Sequence, residues 1–280
     1  MPINFLQNIK SSFLLETIST EGQNPFCKQI AIDHRIKAYV FSCKDLPPQQ
    51  PLFNDGTPSL ILLPNKLDTA RLNVHGKKIS IGTAWLCCGV IKNTYWEIAS
   101  ALEYILVLRF APAYFYSFFN VSPSVFLANP IRRLEDVLHD KWLHMFDQMY
   151  EKKTLSDKIS FLRDRLSLPG TEDNLSPMLS IATEYIQAQR GNTNVVDVLQ
   201  HLGVGVNAKW LHRNFVKYLG IAPKKYISLQ RFIFTYQAYK SSKSKDLSDV
   251  ALSAGYYDYN HFLKDFKQYI GIAPTRYSWT

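Results

Sequence analysis

Apolar residues recur at three- and four-residue steps through the last third of the chain, and this spacing predicts helices. Leu247, Val250 and Ala251 form one run, Gly255 interrupts it, and Phe262 and Phe266 lie four residues apart in the next. Residues three and four apart share a helix face, so the pattern reads as helix, tight turn, helix. Gly255 suits the positive φ of such a turn, and the Asp258 carboxylate can accept from the free N–H groups of the first turn that follows. The second helix is expected from Asp258 to Tyr269, with Gly271 ending it and Pro274 opening the next turn. Phe262 and Phe266 then face inward, leaving Tyr259, Asn260, Leu263 and Lys264 on the outer face. A longer stripe of Tyr226, Leu229, Ile233 and Tyr236 predicts a helix from about Pro223 to Ser241.

The same pattern occurs once before. The stretch Lys217 to Tyr226 is echoed by Gln268 to Tyr277, with Gly220 and Gly271 setting an offset of 51 residues. In that register Phe215 matches Phe266, Arg213 matches Lys264, Leu211 matches Phe262 and Asn207 matches Asp258. The chain therefore holds two copies of one helix-turn-helix unit, joined by the helix from Pro223.

Upstream the pattern changes to short β-type runs: Ala38 to Phe41, Leu60 to Leu63, Ala70 to Val74, Lys78 to Ile81, Trp85 to Ile91 and Tyr104 to Phe110, separated by Gly, Pro and Asn-Asp clusters. A small antiparallel barrel or sandwich is expected. Helices should follow near Phe115 to Phe119, from about Arg132 to Tyr150 on the stripe Leu134, Leu138, Trp142, Met145 and Met149, and over Ser156 to Leu166. That stripe could pair two subunits or cover the sheet. The polar, turn-forming stretch Leu168 to Asn174 reads as a linker. The expected organisation is α+β: a β-rich domain over 1–167, a linker over 168–174 and an all-helical domain over 175–280.

Charge follows this division. Of the formal +9, Leu175 onward supplies 13 Lys and Arg against 6 Asp and Glu, while the first 174 residues are nearly balanced. A positive field on the repeat attracts polyanions and gives a salt-dependent contribution to DNA affinity. The four cysteines, Cys27, Cys43, Cys87 and Cys88, lack metal-finger spacing. The adjacent Cys87 and Cys88 fit a buried strand better than a redox sensor. No secretory or spanning segment is evident, so a cytoplasmic location with reduced thiols is expected.

Other chemistry is hard to find. His34, His75, His139 and His144 have no ligand spacing, and His139 and His144 are five apart, off a common helix face. There is no phosphate-cradling glycine loop and no nucleophile elbow. Glu135 and Asp136 fit a solvated face. No metal, cofactor or catalytic residue is expected, and the chain is not read as an enzyme.

The ordered set Leu247-Ser248-Asp249-Val250-Ala251, Gly255-Tyr256, Asp258, Asn260-His261-Phe262, Phe266-Lys267, Gly271 and Pro274 resembles the signature of the AraC/XylS family of transcription regulators. The likeness covers about the last hundred residues. It implies double-stranded DNA as the partner, with Lys209, His212 and Arg213 of the first unit and Tyr259, Asn260, Leu263 and Lys264 of the second at the family's base-facing positions. Arg213 can pair with guanine, Asn260 with adenine, and Leu263 can touch a thymine methyl, while Lys217, Lys224, Lys225 and Lys267 suit phosphates. Members of the family often use a β-rich N-terminal domain to bind a small effector or to form a homodimer, and RNA polymerase is a further partner the resemblance leaves open.

In the first unit the repeat register places Gln200, and the family's usual spacing His201, where a small buried residue is common. The turn there carries two glycines, Gly203 and Gly205. That departure favours a second class of function, a small-molecule-binding or enzymatic barrel whose C-terminal module no longer reads DNA.

Overall fold

The computed structural model describes residues 27–43, 49–74, 76–97, 102–166, 177–241, 246–277 and 279. The expected linker over 168–174 and His75 lie outside these residues.

The apolar runs that lack polar alternation become strands buried on both faces, as continuous apolar strands do. Strands β1 (Cys27–Asp33), β2 (Ile36–Ser42), β4 (Gly56–Leu62), β7 (Ala84–Gly89), β9 (Tyr104–Phe110) and β10 (Ile131–Arg133) form one antiparallel sheet in the order β1-β2-β9-β4-β7-β10. Strands β3 (Gln49–Pro51), β8 (Thr94–Glu97), β5 (Ala70–Val74) and β6 (Lys77–Ile81) form a second, ordered β3-β8-β5-β6. In the larger sheet Ile61 pairs with Trp85 and Val107, and all three join the core shared with the smaller sheet. Their neighbours Leu60, Leu86 and Leu108 face the other way, into a core capped by α1 (Pro112–Phe118), α2 (Asp140–Tyr150) and α3 (Leu155–Leu166).

The result is a sandwich of two sheets with a helical layer outside. Cys87 and Cys88 fall on opposite faces of β7 and are both fully buried. Burial pushes the Cys87 thiol up to about 11, which disfavours the thiolate a redox sensor needs.

Two differences from the sequence reading have physical causes. The helix expected from Arg132 begins only at Asp140: Ile131–Arg133 is instead a short edge strand paired with β7, and a turn from Leu134 to Leu138 follows it. Leu134, Leu138, Met145 and Met149 are still buried against the sheet, so the stripe covers it. Strands β1, β3, β8 and β10 had no sequence signal, because three of them are sheet edges and β3, β8 and β10 are only three or four residues long.

Among the described residues the C-terminal part is all helical: α4 (Pro177–Ala188), α5 (Val195–Leu202), α6 (Ala208–Leu219), α7 (Pro223–Ser241), α8 (Leu247–Ser253) and α9 (Tyr259–Ile270). Its core joins Phe215, Phe232, Tyr236, Phe262 and Phe266, each worth about 1.5–3 kcal/mol on burial. One member comes from the N-terminal half. Phe53, 1% exposed, lies 6.0 Å from the Phe232 ring and 6.3 Å from Tyr269.

Candidate nucleic-acid interface

Each unit is built by the same local chemistry. Asn207 Oδ1 accepts from Trp210 N at 2.9 Å to cap α6, and Asp258 Oδ1 accepts from His261 N at 2.6 Å to cap α9. At the other ends Gly220 (φ 67°) and Gly271 (φ 94°) are left-handed C-caps. Leu211, Phe215 and Leu219 bury the inner face of α6, and Phe262, Phe266, Tyr269 and Ile270 that of α9.

The structure places the predicted base-reading residues on the opposite faces. Lys209, His212 and Arg213 are exposed on α6, and Asn260 and Lys264 on α9. Tyr259 and Leu263 are half-buried beside them, Tyr259 stacking on Phe262 with ring centroids 6.0 Å apart. Of the residues predicted to meet phosphates, Lys217, Lys224 and Lys267 are exposed. Lys225 is half-buried, with Nζ 4.5 Å from the Tyr269 ring centroid. Burial draws its ammonium below the usual lysine range, with Asp265 opposing and Lys92 reinforcing the shift. It is the least free of the four to follow a DNA backbone.

The departure of the first unit resolves once the caps are aligned. Asn194, which caps α5 with a reciprocal Asp197 bond, stands 13 positions before Asn207, whereas Asp246 stands 12 before Asp258. One extra residue in the first turn shifts the helix register. The buried positions of α5 are consequently Val198 and Leu202, and Gln200 and His201 are exposed, His201 stacking on Tyr185 with centroids 4.2 Å apart. Neither Gln200 nor His201 is forced into the first unit's core. The extra length emerges at the turn, where Val204 stands fully exposed between Gly203 and Gly205.

The N-terminal half meets both units at their repeated glycines. A Cβ on Gly220 would lie 2.7 Å from Tyr116 Oη, and one on Gly271 2.0 Å from Asn93 Oδ1. Tyr95 Oη donates to Ile270 O at 3.0 Å, and α6 packs on α1 and the short turn Pro123–Phe126. Phe53 is held beneath α7 by its neighbours: Asn54 Nδ2 donates to Gly89 O at 2.8 Å, and Asp55 pairs with the buried Arg109. Burial alone would raise the Asp55 carboxyl, but Arg109 and Thr57 hold it below the usual carboxylate range. Sequence reasoning missed Phe53, Asn93, Tyr95 and Tyr116. Nothing in a single chain's periodicity marks which surface residue another domain will cover.

Among the described residues no group of His, Cys, Asp and Glu could hold a metal ion, and no helix is long and apolar enough to cross a membrane. Two capped helices with polar outer faces on one frame define a double helix-turn-helix module. Residues 203–278 match the family described as a helix-turn-helix domain. The melibiose operon regulatory protein of Escherichia coli strain K12 is 34% identical over 142 residues, 43% of this chain and 45% of that protein, so the chain matches under half of that relative's length. The same protein of Escherichia coli O6:H1 gives the same figures. The C-terminal part of this chain is thus similar to a helix-turn-helix domain and to part of that regulator. Among solved structures, ToxT from Vibrio cholerae is similar at 13% identity and a TM-score of 0.43, covering 87% of this chain and 97% of that one. ToxT from Vibrio cholerae O395 gives 12%, 0.44, 88% and 97%.

Proposed function

We propose that this protein is a sequence-specific DNA-binding transcription regulator of the cytoplasm, reading two adjacent major-groove segments about 34 Å apart with α6 and α9. The observation that carries the reading is the paired geometry: equivalent N-caps, equivalent buried faces, and outer faces bearing Lys209, His212 and Arg213 in one helix and Tyr259, Asn260, Leu263 and Lys264 in the other. Arg213 and Asn260 read bases, and Lys217, Lys224 and Lys267 hold phosphates, with Lys225 contributing less. The organisation that fits this role is a β-rich regulatory domain over 1–167, a linker over 168–174 and a DNA-binding domain over 175–280.

Control passes through the N-terminal half, because its residues abut the C-caps of both recognition helices and Phe53 enters their shared core. A small effector in that half, a second copy of the chain and RNA polymerase are the further partners of this reading. The feature that favoured a small-molecule-binding or enzymatic barrel was a polar residue at Gln200 or His201 in the first unit's core, and both side chains are exposed.

Selection of bound duplexes from a randomised library by the full chain, followed by salt titration on the winner, tests the function. A preferred sequence with a steep salt dependence is expected. Equal binding to all duplexes would sink sequence-specific recognition.

A further inference from the structure

The two units touch through a turn that belongs to neither helix-turn-helix. Between α4 and α5 the chain reverses at Arg190 (φ 54°) and Gly191 (φ 71°). Gly191 is pressed so closely on α7 that a Cβ there would lie 2.2 Å from Arg231 N. The Arg231 side chain grips the same turn: Nε donates to Gly191 O at 2.9 Å and Nη2 to Thr193 O at 3.2 Å, just before the Asn194 cap of α5.

The contact continues into the second unit. Arg231 Cζ is 5.6 Å from the ring centroid of Tyr256, in the turn between α8 and α9. Tyr256 Oη donates to Asp265 Oδ2 on α9 at 3.2 Å, and the same oxygen accepts from Ser228 Oγ of α7 at 2.9 Å. Across the same gap, Asn192 Oδ1 would lie 2.0 Å from a Cβ on Gly255. A planar guanidinium suits this place, since its fork of fixed N–H donors can hold two carbonyls while its face meets an aromatic ring.

We infer that Arg231 is a positioning residue for both recognition helices, fixing the orientation of the second unit relative to the first and hence the spacing of DNA half-sites the protein accepts. The helix α7 joins the ends of the two units. The turn gripped by Arg231 sets how the second is rotated about that helix. The spacing consequence rests on the DNA-reading function proposed above; the orientation itself does not.

Two measurements on the full chain separate these. Spin labels on cysteines introduced at Lys209 and Lys264, in a Cys27→Ser background, report the distance between α6 and α9 without DNA. Wild type should give one narrow distance, Arg231→Gln a broad distribution, and Arg231→Lys, which keeps charge and stem but not the fork, an intermediate width. Should Arg231→Gln fail to unfold cooperatively, Arg231→Lys decides. A folded variant with the wild-type distance overturns the inference.

The second measurement uses the duplex selected by wild type, with one base pair inserted between its halves. Wild type should lose about tenfold or more in affinity, and Arg231→Lys under about threefold, each half alone being bound equally by both proteins. An equal insertion penalty in the two proteins would also overturn it. If wild type selects no duplex at all, the DNA reading fails, and the distance measurement still judges the role of Arg231.

Discussion

The first helix-turn-helix unit ends at Gly220 against Tyr116 and Pro123, and the second ends at Gly271 against Asn93 and Tyr95. The two glycines are equivalent in the sequence repeat, and so are the caps at the start of α6 and α9. Their surroundings are not equivalent. The first unit leans on α1 and the turn after it, with a longer, exposed turn of its own at Val204. The second leans on the loop before β8, and its shared core receives Phe53 from the loop that Asp55 pins to Arg109. A duplicated unit thus keeps the chemistry that makes it fold locally and diverges where it meets the rest of the protein. The repeat accounts for how each unit folds locally, and the contacts account for how each is restrained.

The strongest way to break this comparison is to remove the equivalent core aromatics. Phe215→Ala and Phe266→Ala should each cost about 3–5 kcal/mol in urea unfolding, because both are fully buried in one continuous core. A cost confined to one of them would mean that the units are not packed alike.

Removing a restraint peculiar to the second unit's side has a cost of similar size. Asp55→Ala takes away the carboxylate facing the buried Arg109 guanidinium and should destabilise the full chain by about 3–5 kcal/mol. The folded-state pKa of Asp55 is depressed from 3.8. Its contribution is therefore complete above that ordinary value and lost as pH falls through the lowered one. Unfolding followed from neutral to acid pH should show an acid-side loss that Asp55→Asn reduces, and an identical pH profile in the variant would remove the pair from the account.

On DNA the units are expected to act alike. Arg213→Ala and Asn260→Ala should each cost about 1–3 kcal/mol on the selected duplex and relax preference at one base position, while Lys217→Ala weakens all sequences and lowers the salt slope by about one. Competition binding on single-base variants of the duplex measures this. If Arg213→Ala behaves like Lys217→Ala while Asn260→Ala does not, only the second unit reads bases.

The smallest effect is local. Asn207→Ala and Asp258→Ala each remove one cap bond to the third N–H of α6 or α9 and should cost about 1 kcal/mol apiece in thermal or urea unfolding. Similar values would confirm that the caps are equivalent, and a much larger loss at Asn207 would show that the first unit depends more on its own termini.

The sequence alone determined what rests on short-range chemistry. Helix spacing, the Asn207 and Asp258 caps, the glycine stops and the long helix from Pro223 are set within a few residues, so they could be read in order, and the outward positions of Arg213 and Asn260 followed from them. Sustained apolar runs also marked β2, β4, β7 and β9. Only the tertiary structure decided what depends on distant partners. Ile131–Arg133 became a strand because β7 lay beside it, although the downstream stripe had favoured helix. Gln200 and His201 were placed outside by a one-residue change in turn length, which a fixed repeat register cannot absorb. Phe53 looks like any loop aromatic until α7 and α9 are folded around it. Its burial depends on surfaces more than a hundred residues away in sequence, and no local pattern encodes that proximity.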